Sequence, residues 1–326
     1  MTRLNLHLFT IILFAFGSST VWAQTSREAT ASSYIDRGNG WMTKGELNRA
    51  IADFDLAVAS APAYAASYYN RGVARHLNGD LDGALADYNR ALQLDPRLAQ
   101  AYVDRSGIWH ARGDLDGVIR DNSKAIELNP RLAQAWNNRG LARREKGDPD
   151  GALSDFDRSL KINPKSAEVW SNRGVARFFK GDLNGALADQ TAAIKLNPRF
   201  AGAYCDRGAL WHHKGDLDKA LADYNQAIEL NPALHLAYFN RALAWRTKGD
   251  WAQALADYDQ TIALNHNYAQ AYAQRGLIYL RQGKGREAEK DFAQCLALDK
   301  SLATSLERSI NEIRRQFVLP SGMIKK

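Results

Sequence analysis

Residues 133–166 read AQAWNNRGLARREKGDPDGALSDFDRSLKINPKS, and residues 167–200 read AEVWSNRGVARFFKGDLNGALADQTAAIKLNPRF. The two stretches align without a gap, Trp136 on Trp170, Gly140 on Gly174, Gly147 on Gly181, Ala152 on Ala186 and Pro164 on Pro198. Working outward, the same 34-residue period carries Gly45, Gly79, Gly113, Gly147, Gly181, Gly215, Gly249 and Gly283. Pro62, Pro96, Pro130, Pro164, Pro198 and Pro232 keep the spacing, which lapses to His266 and Lys300. Eight units follow: 31–64, 65–98, 99–132, 133–166, 167–200, 201–234, 235–268 and 269–302. They leave no room for a linker, so residues 31–302 form one array rather than several domains.

Each unit predicts two helices. Ala65 to Asn78 contains no Pro and stops at Gly79, where glycine can take the left-handed conformation that ends a helix. Asp80 is then placed to accept from the first free N–H groups of the next helix. That helix carries Leu81, Leu85, Tyr88 and Leu92 on one face. Asp95-Pro96 ends it, because Pro disfavours helix in the residue before it. An aromatic opens every first helix (Tyr34, Tyr68, Tyr102, Trp136, Trp170, Tyr204, Tyr238, Tyr272). Four residues later comes Gly, Ser or Ala, and the second helix pairs a small residue such as Ala152 with an aromatic such as Phe156. Large against small at fixed spacing lets helices approach closely. One such pair cannot bury its own faces, whereas stacked pairs can.

This pattern resembles the tetratricopeptide repeat family. Trp136, Gly140, Ala152, Phe156 and Pro164 together match its signature, which recurs eight times. Departures are local: Asn122 and Gln190 replace the core aromatic, and Val118 replaces the Ala. The resemblance implies an all-α, right-handed superhelical solenoid of eight helix-turn-helix repeats, with first helices lining a concave groove. It also implies a non-catalytic scaffold that binds a peptide or partner protein in that groove. Leu302, Leu306, Ile310, Ile313 and Phe317 share one face, so 303–318 is expected to cap the last repeat. Residues 319–326 are expected to form a flexible tail.

Arg37, Arg71, Arg105, Arg139, Arg173, Arg207, Arg241 and Arg275 recur, each followed sixteen residues later by an Asp. Matched opposite charges in every unit read as structural ion pairs, Arg71 with Asp87, Arg139 with Asp155, Arg173 with Asp189 and Arg207 with Asp223 among them. The competing reading is a ladder of cations for acidic ligands. Before each Arg stands a short polar residue, and in some members of the family an asparagine ladder there holds an extended peptide backbone. Asn70, Asn138, Asn172 and Asn240 are the candidates, because an amide offers donor and acceptor together. Local hydrogen bonding is the alternative. The remaining groove positions vary from unit to unit. Tyr69, His76, His110, Arg144, Phe178, Phe179 and Arg246 are the expected contacts, and some of them are expected to touch only neighbouring first helices. The family's clamp for chaperone tails needs Lys where this chain has Ile35 and Gln100.

No catalytic constellation emerges. There is no GxSxG, phosphate loop, HExxH or paired-Cys pattern, and His76 and His110 lie a whole unit apart. No cofactor or metal is expected. Net charge +7 and pI near 9.3 are spread along the chain rather than clustered. An RNA-binding helical repeat and a non-catalytic subunit of an envelope enzyme complex remain the rival readings, and no nucleic acid is expected.

The first 23 residues stand apart. Arg3 precedes an apolar run from Leu6 to Phe16, too short to span a bilayer comfortably, then small residues and Val21-Trp22-Ala23. This predicts a signal peptide cut after Ala23, residues 24–30 as a short arm, and a protein of the periplasm or cell exterior. A retained anchor is the alternative. Cys205 and Cys295 lie too far apart in a stack to bridge, so both are expected reduced.

Overall fold

The computed structural model describes the backbone of residues 5–317 and the side chains of residues 24–315. Among these, seventeen α-helices and one 3₁₀ turn occur and no strand. The helices group into two compact units.

The first unit holds α1 (Asn5–Thr43), α2 (Leu47–Ser60), α3 (Ala65–Leu77), α4 (Leu81–Leu94), α5 (Ala99–Ala111), α6 (Leu115–Leu128), α7 (Ala133–Glu145) and α8 (Pro149–Ile162). The second holds α9 (Ala167–Phe179), α10 (Leu183–Leu196), α11 (Ala201–Lys214), α12 (Leu217–Leu230), α13 (His235–Lys248), α14 (Trp251–Leu264), α15 (Ala269–Arg281), α16 (Gly285–Leu298) and α17 (Ala303–Phe317). Odd-numbered helices through α15 are first helices of repeats, and even-numbered ones are second helices. Within each unit, every helix up to α16 packs on the next in chain order, α17 packs on α15, and first helices also touch: α1 with α3, α5 with α7, α9 with α11, α11 with α13.

The turn inside each repeat needs its glycine. Gly79 sits at φ 84°, and no non-glycine residue in the described chain has positive φ. Asp80 then caps α4, its carboxylate accepting from the Gly83 N–H at 2.9 Å. Glu46 makes no such cap, and its carboxylate meets Arg49 at 2.5 Å instead. The second helices stop for a reason beyond proline. Asp95 Oδ1 accepts from the Arg97 N–H at 2.9 Å, an Asx turn. Asn265 does the same to the Asn267 N–H at 3.1 Å, so α14 stops at Leu264 although His266 replaces the proline.

Packing follows the large-against-small pattern. A Cβ added to Gly72 would lie 2.9 Å from the Tyr88 ring, and one added to Gly140 would lie 2.8 Å from the Phe156 ring. Alanines fill the helix contacts, with Ala50, Ala84, Ala152, Ala186, Ala220 and Ala254 wholly buried. In the first unit Ala84, Tyr88 and Ile108 form one core patch. In the second, Ala220, Tyr224, Ala227, Ala237 and Ala244 form another.

At one end of the chain, residues 24–30 are part of α1. At the other, Leu306 of α17 is buried against Ala269, Ala273 and Cys295, with Ile310 and Leu302 beside it. The tail 319–326 and the Phe317 side chain lie outside the described residues, as do the side chains of the expected signal segment. No helix among the described residues is long and apolar enough to cross a membrane. Cys205 and Cys295 are free thiols, both buried, and burial pushes the Cys205 thiol up to about 12.

Candidate functional site

The recurrent charges are consumed inside the scaffold. In all eight repeats the Arg of the first helix grips the Asp of the second in a fork. Nε donates to one carboxylate oxygen at 2.7–2.9 Å and Nη2 to the other at 2.5–2.8 Å. The third nitrogen reaches the preceding repeat. Arg71 Nη1 donates to Asp55 at 2.7 Å, Arg105 Nη1 to Asn89 at 2.7 Å and Arg139 Nη1 to Ser123 at 3.0 Å. Arg241 and Arg275 do likewise to Asn225 and Asp259, each at 2.6 Å. Each guanidinium also lies 4.6–5.6 Å from the aromatic three residues before it. The bond to its Asp holds the Arg207 guanidinium above its ordinary range.

A partner of this fork was not foreseen from the sequence. In the first five repeats the buried Asp takes a further donor from the residue four places after the Arg. That residue is Trp41, Arg75, Trp109, Arg143 or Arg177, at 2.8–3.0 Å. Trp and Arg look unrelated in a sequence alignment, yet each ends in an N–H at similar reach.

The first-helix face that the resemblance assigns to the groove is divided between sideways pairing and exposure. Tyr69 Oη donates to Asp104 Oδ2 at 2.8 Å, across from α3 to α5. Burial raises the Asp104 carboxyl above the ordinary carboxylate range, against the lowering effect of the Tyr69 and Gln100 bonds. Arg246 bonds Gln274, and His110 Nε2 lies 3.6 Å from Glu145 Oε1. Of the amides, Asn70 Nδ2 donates to Ala66 O at 2.8 Å, within its own helix. Asn240 Nδ2 lies 3.6 Å from Cys205 Sγ. Asn138 is half-buried in a pocket wall, and Asn172 is half-buried on α9. His76 and Arg144 are half-buried, whereas Leu77 is 63% and Phe179 71% exposed. The spacing i, i+35 between first helices is the signal for Tyr69–Asp104, His110–Glu145 and Cys205–Asn240, whereas Arg246 and Gln274 lie 28 residues apart.

Two pockets open beside these residues, and both fall where the core aromatic is missing. The first, about 190 Å³, is walled by Ser106, Gly107, His110 and Val118 of the repeat in which Asn122 stands for the ring, and by Asn138 and Leu141 of the next. The second, about 170 Å³, is lined by Val175, Phe178, Phe179, Asp206, Leu210 and Gln190, which itself stands for the ring. Asn122 and Gln190 are both wholly buried, and the side-chain carbonyl of each lacks a hydrogen-bond partner. At both departures from the core aromatic, therefore, a buried amide stands in the core with a pocket close by.

Family models described as Tetratricopeptide repeat match residues 65–98, 133–166, 167–200, 201–234 and 269–302, and one described as TPR repeat matches 246–283. Together these matches cover more than half of the chain, and no catalytic family is among them. A search of curated proteins found no match. Among solved structures, the APC/C hetero-tetramer Cut9-Hcn1 aligns at TM-score 0.65 and 16% identity, over 85% of this chain and 55% of that one. A tetratricopeptide repeat protein from Parabacteroides merdae aligns at 0.61 and 20%, over 77% and 99%. PilF of Pseudomonas aeruginosa aligns at 0.59 and 18%, over 69% and 98%. At these identities the likeness is one of fold.

Proposed function

Because the chain belongs to the tetratricopeptide-repeat family, we propose that it is a non-catalytic scaffold that holds a peptide or partner protein on the exposed face of its first helices. Its place of work in this reading is the periplasm or cell exterior, after removal of residues 1–23. One observation carries the binding role. The charges that repeat in every unit satisfy one another, while the positions that vary from unit to unit include exposed apolar side chains, Leu77 and Phe179 foremost. A fixed frame with a varied face is what selective binding requires, and an exposed apolar side chain on that face can serve as an anchor buried by a partner.

The test is crosslinking capture from the cell envelope with the parent chain and with Leu77→Asp and Phe179→Asp. Both side chains are exposed, so these variants are expected to keep the parent's helical circular dichroism and lose the captured partner. Capture unchanged by either substitution overturns the reading.

A further inference from the structure

Six repeats place a ring in the second helix against the small residue of the first, Phe54, Tyr88, Phe156, Tyr224, Tyr258 and Phe292. The contact is tight: Cβ atoms added to Gly38, Gly208 and Gly276 would lie 2.5–2.7 Å from Phe54, Tyr224 and Phe292. The fifth repeat keeps the glycine, Gly174, but not the ring. The nearest atoms to a Cβ there would be the Gln190 Nε2 and the Asp189 Cβ, each at 3.2 Å, and the Ala186 carbonyl at 3.3 Å, wider than the ring contacts of the other repeats. The relief is visible as the pocket of about 170 Å³ between α9 and α11, open to the first-helix face.

Gln190 spends its donors and not its acceptor. Nε2 donates to Ser171 O at 3.2 Å and to Asp206 Oδ2 at 3.4 Å, while Oε1 has no partner although the residue is wholly buried. A buried carbonyl of this kind calls for an N–H or O–H. Apart from the Asp206 carboxylate the rest of the wall is apolar, with the Phe178 and Phe179 rings 5.9 Å apart and inclined at 59°. Such ring edges suit a third ring. A neutral donor is enough for this acceptor, because Gln190 carries no charge and the Asp206 carboxylate in the wall already accepts from Gln190 Nε2 and Ser171 Oγ, each at 3.4 Å.

Resting on the scaffold reading above, we propose that this pocket takes a tyrosine or tryptophan side chain of the bound partner. The ring enters where the array's own ring is absent, and its O–H or indole N–H donates to Gln190 Oε1. The pocket thereby sets which residue of the partner is selected.

The experiment uses the full chain and three small probes, p-cresol, indole and toluene, followed by the methyl resonances of Val175, Ala209 and Leu210. p-Cresol and indole are expected to shift these methyls saturably, and toluene to bind roughly fivefold to tenfold more weakly, as for one lost hydrogen bond. Gln190→Phe restores the ring opposite Gly174, as Phe54 stands opposite Gly38, so it is expected to fold, with a melting temperature no lower than the parent's, and to lose all three probes. Gln190→Met keeps the bulk without the acceptor and is expected to erase the preference for p-cresol over toluene. Equal binding of toluene and p-cresol by the parent overturns the proposal, as does p-cresol binding by Gln190→Phe or the absence of methyl shifts with every probe. Partner capture lost in Leu77→Asp but intact in Gln190→Phe overturns the pocket and leaves the scaffold reading standing.

Discussion

Arg105 shows what the recurrent pair does. Its guanidinium forks onto Asp121, which is 2% exposed and also accepts from Trp109 Nε1 at 2.9 Å. Arg105→Ala leaves that carboxylate buried with one donor, and urea unfolding is expected to show a loss of about 3–5 kcal/mol. Lys146→Ala, which removes an exposed pair with Asp116, is expected to change stability by less than about 1 kcal/mol in the same assay. Tyr258 gives the opposite case. Its hydroxyl is buried without a partner, so Tyr258→Phe is expected to leave stability unchanged or raise it by about 1 kcal/mol. Asp104 makes a pH prediction. Its folded pKa is raised, so the native state holds its proton more tightly than the unfolded chain does. Its stabilising contribution is present below the unfolded value of about 3.9 and is lost as pH rises through the folded one. Asp104→Asn is therefore expected to be more stable than the parent at pH 7, with the gap closing as pH falls through the raised folded value and fully closed by the ordinary carboxylate value, in chemical melts across that range. The Arg–Asp pairing is legible at this scale because both residues recur in register. The Trp-or-Arg donor is not, since residues with different side chains perform one task.

Among the elements, helix ends and the last helix are the informative cases. The glycine at each intra-repeat turn is readable from sequence, because only glycine occupies that φ comfortably. The ends of the second helices were assigned to proline, and proline is only part of the cause. Asn265 and Asp299 make Asx turns where the proline is absent, with Asp299 Oδ1 accepting from the Ser301 N–H at 2.9 Å. The apolar face of α17 is equally legible, and in the structure it lies on α15. Leu306→Ala, which empties a site that is 5% exposed, is expected to destabilise the chain by about 2–5 kcal/mol. Urea unfolding monitored by circular dichroism checks it. The groove face is less readable. A tyrosine such as Tyr69 is a ligand contact or a sideways bond to the next first helix, and only the placement of α5 makes it the second.

For the whole chain, the proposal of export has its own measurement. Mass spectrometry of protein recovered from the envelope of a bacterial host is expected to show an N-terminus at Gln24, and an intact residue 1 would count against it. What the order of residues settled by itself is the repeat: its period, its two helices and the register of its recurrent charges. Every repeat obeys the same packing demand, so eight copies of one pattern make the signal redundant. What only the tertiary structure decided lies where a repeat breaks the pattern. An alignment records Gln190 as a lapse from an aromatic, but whether a lapse becomes a collapsed core, a strained one or an open pocket depends on how far neighbouring helices close over it. Here they leave a pocket of about 170 Å³ between α9 and α11, where an amide stands in place of the ring that fills the same position in six other repeats.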